Sequence, residues 1–127
     1  VEFRAKALIV EDNVALARVT QFALARAGFD ARIAHNGRLG LEAATADSYD
    51  VVISDQQMPE MTGVELCRRL RQHPDYASTP IILLTAKGLE LELSQLQQEL
   101  AISAVFAKPF SPSGIVESVC QLLEIAV

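Results

Sequence analysis

Positive charge is scarce in this sequence: 11 Lys and Arg stand against 16 Asp and Glu, a net charge of −5 with His neutral. Gripping a nucleic-acid backbone needs a basic surface that neutralises phosphates, so direct nucleic-acid binding by this chain is not expected. Long apolar runs are missing as well. None approaches the roughly 20 residues that span a bilayer, and the opening VEFRAKALIVED lacks a small-residue cleavage site of the signal-peptide kind. A cytoplasmic chain with no membrane contact is the expectation. Only two cysteines occur, Cys67 and Cys120, without CxxC or Cys/His spacing, and they read as buried bystanders rather than a disulfide or metal site. No glycine-rich phosphate loop follows a strand, neither GxxxxGK[ST] nor GxGxxG, which disfavours a bound nucleotide.

What is present suits one domain over 1–127, with its core at about 6–125: 127 residues, half of them hydrophobic, can bury a single sizeable core. Ala7 to Val10 is a short apolar run that ends in Glu11 and Asp12. Asn13 then stands as an N-cap before VALARVTQFALARAG, whose apolar residues recur at helical spacing up to Gly28. DARIA at 30–34 reads as a strand, and Asn36 and Gly37 turn into a shorter helix, RLGLEAATA. DVVIS at 50–54 and TPIILLTA at 79–86 are apolar almost throughout, the pattern of strands covered on both faces of a parallel sheet. Helices are expected at VELCRRLRQH, LELELSQLQQELA and SPSGIVESVCQLLEIAV, the last with Ser111 as cap and Pro112 in its first turn, and a strand at SAVFA. Strand followed by helix, five times over, predicts an α/β fold. Five parallel strands in the order 2-1-3-4-5 form a doubly wound sheet flanked by five helices.

Open parallel sheets bind ligands beyond the carboxyl ends of their strands. The residues at those ends are Glu11 and Asp12 on the first, Asp55 on the third, Thr85 on the fourth and Lys108 on the fifth. Carboxylates converging on one rim either raise a pKa or recruit a cation, and hard oxygen donors suit Mg²⁺ or Mn²⁺. With a lysine and a hydroxyl beside them, the group can hold a phosphoryl moiety and neutralise its oxygens. Without a nucleotide cradle, a carboxylate can be the covalent acceptor, and Asp55, on the central apolar strand, is the candidate.

VED at 10–12, SDQQMP at 54–59, LLTA at 83–86 and AKPF at 107–110, in this order on these elements, resemble the receiver domains of two-component response regulators. The resemblance covers nearly the whole chain and implies a flavodoxin-like fold. It also implies transfer of a phosphoryl group onto Asp55 from a histidine kinase or a His-phosphotransfer protein. Asp12 and Asp55 would be metal ligands, Gln57 would add its backbone carbonyl, and Glu11 would act mostly through water on the metal. Thr85 would bond the phosphoryl oxygens and Lys108 would pair with them. Two departures stand out. Glutamate replaces the usual aspartate at Glu11, and Val105 stands at the switch position where the family usually carries Tyr or Phe. Phe106, one step along a strand, points to the opposite face and cannot substitute.

The resulting expectation is a phosphoacceptor module that switches an output partner or effector domain, not a turnover enzyme beyond its own phosphotransfer and auto-dephosphorylation. Gln57 and Lys87, two residues beyond Asp55 and Thr85, are the candidates for tuning dephosphorylation. One alternative is a degenerate receiver that only binds a partner. Another, a haloacid-dehalogenase-like phosphohydrolase, wants a second Asp where Gln57 stands. Bland readings attach to the rest: CRRLRQH at 67–73 spreads its charges over a solvent face, and His35 and His73 are exposed without ligand spacing. Leu89, Leu91, Leu93, Leu96 and Leu100 exceed one buried stripe, marking either an irregular helix start or a partner-facing surface.

Overall fold

The computed structural model describes residues 2–126. Five strands, β1 (Lys6–Val10), β2 (Asp30–Ala34), β3 (Val51–Asp55), β4 (Ile81–Ala86) and β5 (Ala104–Lys108), pair in parallel in the order 2-1-3-4-5. The helices between and after them are α1 (Val14–Arg26), α2 (Gly37–Ala46), α3 (Gly63–Arg71), α4 (Ser94–Glu99) and α5 (Pro112–Leu122).

Strand alternation divides the core into two layers. On one face Leu8, Val10, Val52, Ile81 and Leu83 pack with Leu66, Cys67 and Leu70 of α3. On the other, Ala7, Ile9, Val51, Ile53, Ile82 and Leu84 pack with Leu24 of α1 and with Ile115, Val119 and Cys120 of α5. Every residue of β3 is buried, as its apolar run predicts for a strand covered on both sides. Both cysteines are free and buried, and burial pushes the Cys67 thiol up.

Local chemistry sets the element ends. Asn13 Oδ1 accepts from Leu16 N–H, Asn36 Oδ1 from Leu39 N–H and Thr62 Oγ1 from Glu65 N–H, each satisfying an amide of a first helical turn. Asn36 is thus the cap of α2, and Gly37 belongs to the helix rather than to the turn before it. Ser111 does stand at the cap position of α5, but its hydroxyl lies 2.8 Å from that of Ser113 and bonds no helix amide. Gly28, at φ +96°, turns the chain out of α1 toward β2.

The structure differs from the sequence reading in two segments. The predicted long helix at 89–101 is a 3₁₀ turn at Glu90–Leu93 followed by the six residues of α4. Three of its leucines face inward: Leu93 is buried, and Leu96 and Leu100 pack on the α3 side of the core; Leu89 is half-buried and outside both core layers, and the side chain of Leu91 lies outside the described residues. Arg71 departs from the expected solvent face. Its guanidinium donates to the carbonyls of Tyr76 and Thr79 at 2.7 Å, Leu100 at 2.8 Å and Ala101 at 3.0 Å, tying the end of α3 to the segments before β4 and β5. His35 is exposed, whereas His73 is half-buried and accepts from Asp75 N–H at 3.3 Å.

Candidate functional site

Parallel topology brings the carboxyl ends of β1, β3, β4 and β5 to one rim. Glu11 and Asp12 follow β1, Asp55 ends β3, Thr85 is next to last in β4 and Lys108 ends β5. Asp55, Thr85 and Lys108 therefore lie within their strands, Asp55 and Lys108 at the last position and Thr85 one residue before it.

Glu11 is 1% exposed, Asp55 2% and Thr85 fully buried, whereas Asp12 faces solvent. The Lys108 ammonium lies 3.0 Å from Asp55 Oδ1 and 3.3 Å from Glu11 Oε1. Apart from this ammonium, these two buried oxygens meet no donor among the described residues. Burial is the largest influence on Glu11. It raises the carboxyl to about 7, and the nearby Asp55 charge pushes the same way, against the Asn13 amide and Lys108. For Lys108, burial acts downward, but contact with Asp55 and then Glu11 outweighs it and holds the ammonium above its ordinary range. The peptide bond from Lys108 to Pro109 is cis.

Glu11, Asp12 and Asp55 each offer a carboxylate oxygen, all within 4.8 Å of one another. One ammonium does not balance three carboxylates, and two of the offered groups are out of water. Hard oxygen donors at this spacing, two of them on buried carboxylates, fit a small divalent cation such as Mg²⁺.

The connection from β3 to α3 is held against both neighbours. Gln56 N–H donates to Leu84 O at 2.8 Å, its carbonyl accepts from Gly63 N–H at 3.1 Å, and its Oε1 accepts from Val64 N–H at 2.8 Å. A Cβ at Gly63 would stand 2.5 Å from the Asp55 carbonyl oxygen, so only glycine lets α3 start this close to the end of β3. Gln57 reaches across to β4, bonding the Thr85 hydroxyl and the Ala86 N–H, both at 3.0 Å. Lys87 is exposed. Val105 packs on the α3 side of the sheet and Phe106 on the α1 and α5 side, the opposite orientation that the strand period requires.

The structure thus brings together Glu11, Asp12, Asp55 and Lys108, and links Thr85 to Gln57. Sequence reading missed Gln56 and Gly63. The glycine at the start of α3 was a visible signal, whereas nothing in the sequence distinguishes the partners of two adjacent glutamines.

Comparison with known proteins bears on this arrangement. The family model described as "response regulator receiver domain" matches residues 7–120. Among curated proteins, the alkaline phosphatase synthesis transcriptional regulatory protein PhoP of Bacillus subtilis is 33% identical over 95% of this chain and 50% of its own length. The uncharacterized transcriptional regulatory protein YclJ of the same organism is 35% identical over 87% of this chain and 47% of its own. The chain therefore spans about half the length of these relatives. Among solved structures, the chemotaxis protein CheY4 of Vibrio cholerae superposes with a TM-score of 0.82 at 32% identity, covering 94% of this chain and 96% of that one. The signal receiver domain of a signal transduction histidine kinase from Syntrophus aciditrophicus gives 0.84 at 31% identity, covering 94% and 90%.

Proposed function

The chain belongs to the response regulator receiver family, signalling domains of two-component systems, and we propose that Asp55 is its phosphoryl acceptor. The observation that carries this reading is the buried Asp55 carboxylate at the end of the central strand, 3.0 Å from Lys108 and within one acidic cluster with Glu11 and Asp12. An Asp55 oxygen attacks phosphorus in line as the P–N bond of a phosphohistidine breaks. The departing imidazole nitrogen keeps the bonding electrons and takes up a proton, and an aspartyl phosphate forms.

Asp12, Asp55 and the Gln57 carbonyl would hold Mg²⁺ or Mn²⁺, with Glu11 beside them. A bound divalent ion supplies charge neutralisation for the phosphoryl oxygens. Lys108 pairs with those oxygens, and the Thr85 hydroxyl has a proton to donate to them. Lys87, exposed two residues past Thr85, shields the acyl phosphate from water; slower or equal phosphate release in Lys87→Ala than in wild type would contradict that. Hydrolysis of its own aspartyl phosphate is the only turnover proposed.

The phosphoryl donor is a histidine kinase or His-phosphotransfer protein in the cytoplasm, and the proposed domain fills about residues 6–125. No helix among the described residues is long and apolar enough to cross a membrane. By analogy with relatives named as transcriptional regulators, an effector domain or output partner reads the phosphorylated state.

The test is intact-mass analysis after incubation with Mg²⁺ and acetyl phosphate. A single phosphoryl adduct that Asp55→Asn abolishes is expected. No adduct on the wild type, or an adduct that survives the substitution, overturns the reading.

A further inference from the structure

Both ends of the Gln57 carboxamide are committed to consecutive residues of β4. Nε2 donates to Thr85 Oγ1 and Oε1 accepts from Ala86 N–H, each at 3.0 Å. The base of this side chain is immobilised. Next to it, Gln56 is tied to β4 through Leu84 and to the start of α3 through Gly63 and Val64. The carboxamide is therefore a two-pronged bridge from a fixed connection to the one segment of β4 that carries a site residue.

We propose that the Gln57 side chain is a clasp that holds Thr85 and Ala86 in the resting arrangement and so sets the threshold for Thr85 to engage a phosphoryl group on Asp55. The inference rests on the reading of Asp55 as acceptor. Thr85 is fully buried, and its oxygen already accepts the Gln57 amide, while its hydroxyl proton has no acceptor among the described residues. Ala86 N–H has one proton, and Gln57 takes it. Any shift of Thr85 on engaging Asp55 would work against the two bonds from Gln57, whose neighbour Gln56 is anchored to β4 and to the start of α3. Both prongs are neutral hydrogen bonds, whereas a bond from Thr85 to a phosphoryl oxygen is charge-assisted and stronger. Phosphorylation can therefore open the clasp, and without it the clasp keeps the engaged arrangement a minor population. Gln57 acts here as a positioning residue through Thr85.

Gln57→Met keeps the length of the side chain and removes both prongs, leaving the backbone carbonyl in place. Two measurements test it on the whole chain: amide hydrogen exchange at Ala86 without ligand, and affinity for beryllofluoride in the presence of Mg²⁺. Expected are faster Ala86 exchange and beryllofluoride binding about tenfold tighter than wild type, the size of effect that two neutral hydrogen bonds can exert. The gain should shrink in a Thr85→Val background, where one prong is already gone. A merely structural role predicts weaker binding, not tighter. Unchanged Ala86 exchange, or equal or weaker beryllofluoride binding by Gln57→Met, overturns the clasp. If the wild type binds no beryllofluoride, the acceptor reading falls and the threshold role with it, while Ala86 exchange still reports whether the prongs exist.

Discussion

Lys108 Nζ rests 3.0 Å from Asp55 Oδ1 and only 3.3 Å from Glu11 Oε1, so the proposed acceptor shares this ammonium with a second buried carboxylate. The resting site is thus short of positive charge. Its chemistry depends on how that deficit is met, by a proton on Glu11 or by a divalent cation.

Asp12 is the exposed member of the acidic cluster, and removing it relieves repulsion without opening the core. Asp12→Ala should lower Mg²⁺ affinity by about tenfold or more and depress phosphorylation by acetyl phosphate. Its unfolding free energy should stay within about 0.5 kcal/mol of wild type or rise. Calorimetric Mg²⁺ titration and chemical denaturation check the two halves; wild-type affinity in the variant would remove Asp12 from the site.

Glu11 titrates near 7 in the folded, metal-free chain against an ordinary 4.5. A carboxyl raised by folding binds its proton more tightly in the folded state. Its stabilising contribution is full below about pH 4.5 and is lost as pH rises through about 7. Metal-free wild type should therefore lose stability across that window relative to Glu11→Gln, which cannot ionise. Denaturation midpoints at several pH values in EDTA check this, and parallel pH profiles of the two proteins would refute it.

Glycine-to-alanine substitutions should have opposite signs in two helices. At Gly63 the new Cβ would lie 2.5 Å from the Asp55 carbonyl oxygen, a backbone atom that cannot move aside, and Gly63→Ala should destabilise by about 1–3 kcal/mol. At Gly114, inside α5, the nearest neighbour is Ser111 Cβ at 3.7 Å, an ordinary contact. Gly114→Ala should stabilise by about 0.5–1 kcal/mol. Urea denaturation of both variants reads the signs directly.

Val105 packs on the α3 side of the sheet, has no ring to rotate and holds a narrow set of χ1 states. Beryllofluoride with Mg²⁺ should therefore perturb the amide resonances of Asp12, Asp55, Thr85 and residues 86–90 more than those of Val105 and Phe106. Shifts on β5 as large as those at Asp55 would show that the valine transmits the change after all.

The alternation of strand and helix, the five-strand order and the rim residues Glu11, Asp12, Asp55, Thr85 and Lys108 were legible in the sequence for a physical reason. Apolar runs such as Val51–Ile53 reveal strands buried on both faces, and parallel crossovers send every strand's carboxyl end to the same side. Caps such as Asn13 are local chemistry, decided within three residues. Other outcomes depended on groups far apart in the chain. Arg71 turned inward because carbonyls from 76, 79, 100 and 101 converge on its guanidinium. Leu93, Leu96 and Leu100 turned inward because one face of the sheet beside α3 remained to be covered. Gln57 met Thr85 and Ala86 across two adjacent parallel strands, 28 and 29 residues away, and Glu11 acquired its raised pKa from burial beside Asp55. Side-chain period and capping report what a residue does within its own element. Which donor finds which acceptor, and which charge loses its water, is decided only when the sheet assembles and brings those elements into contact.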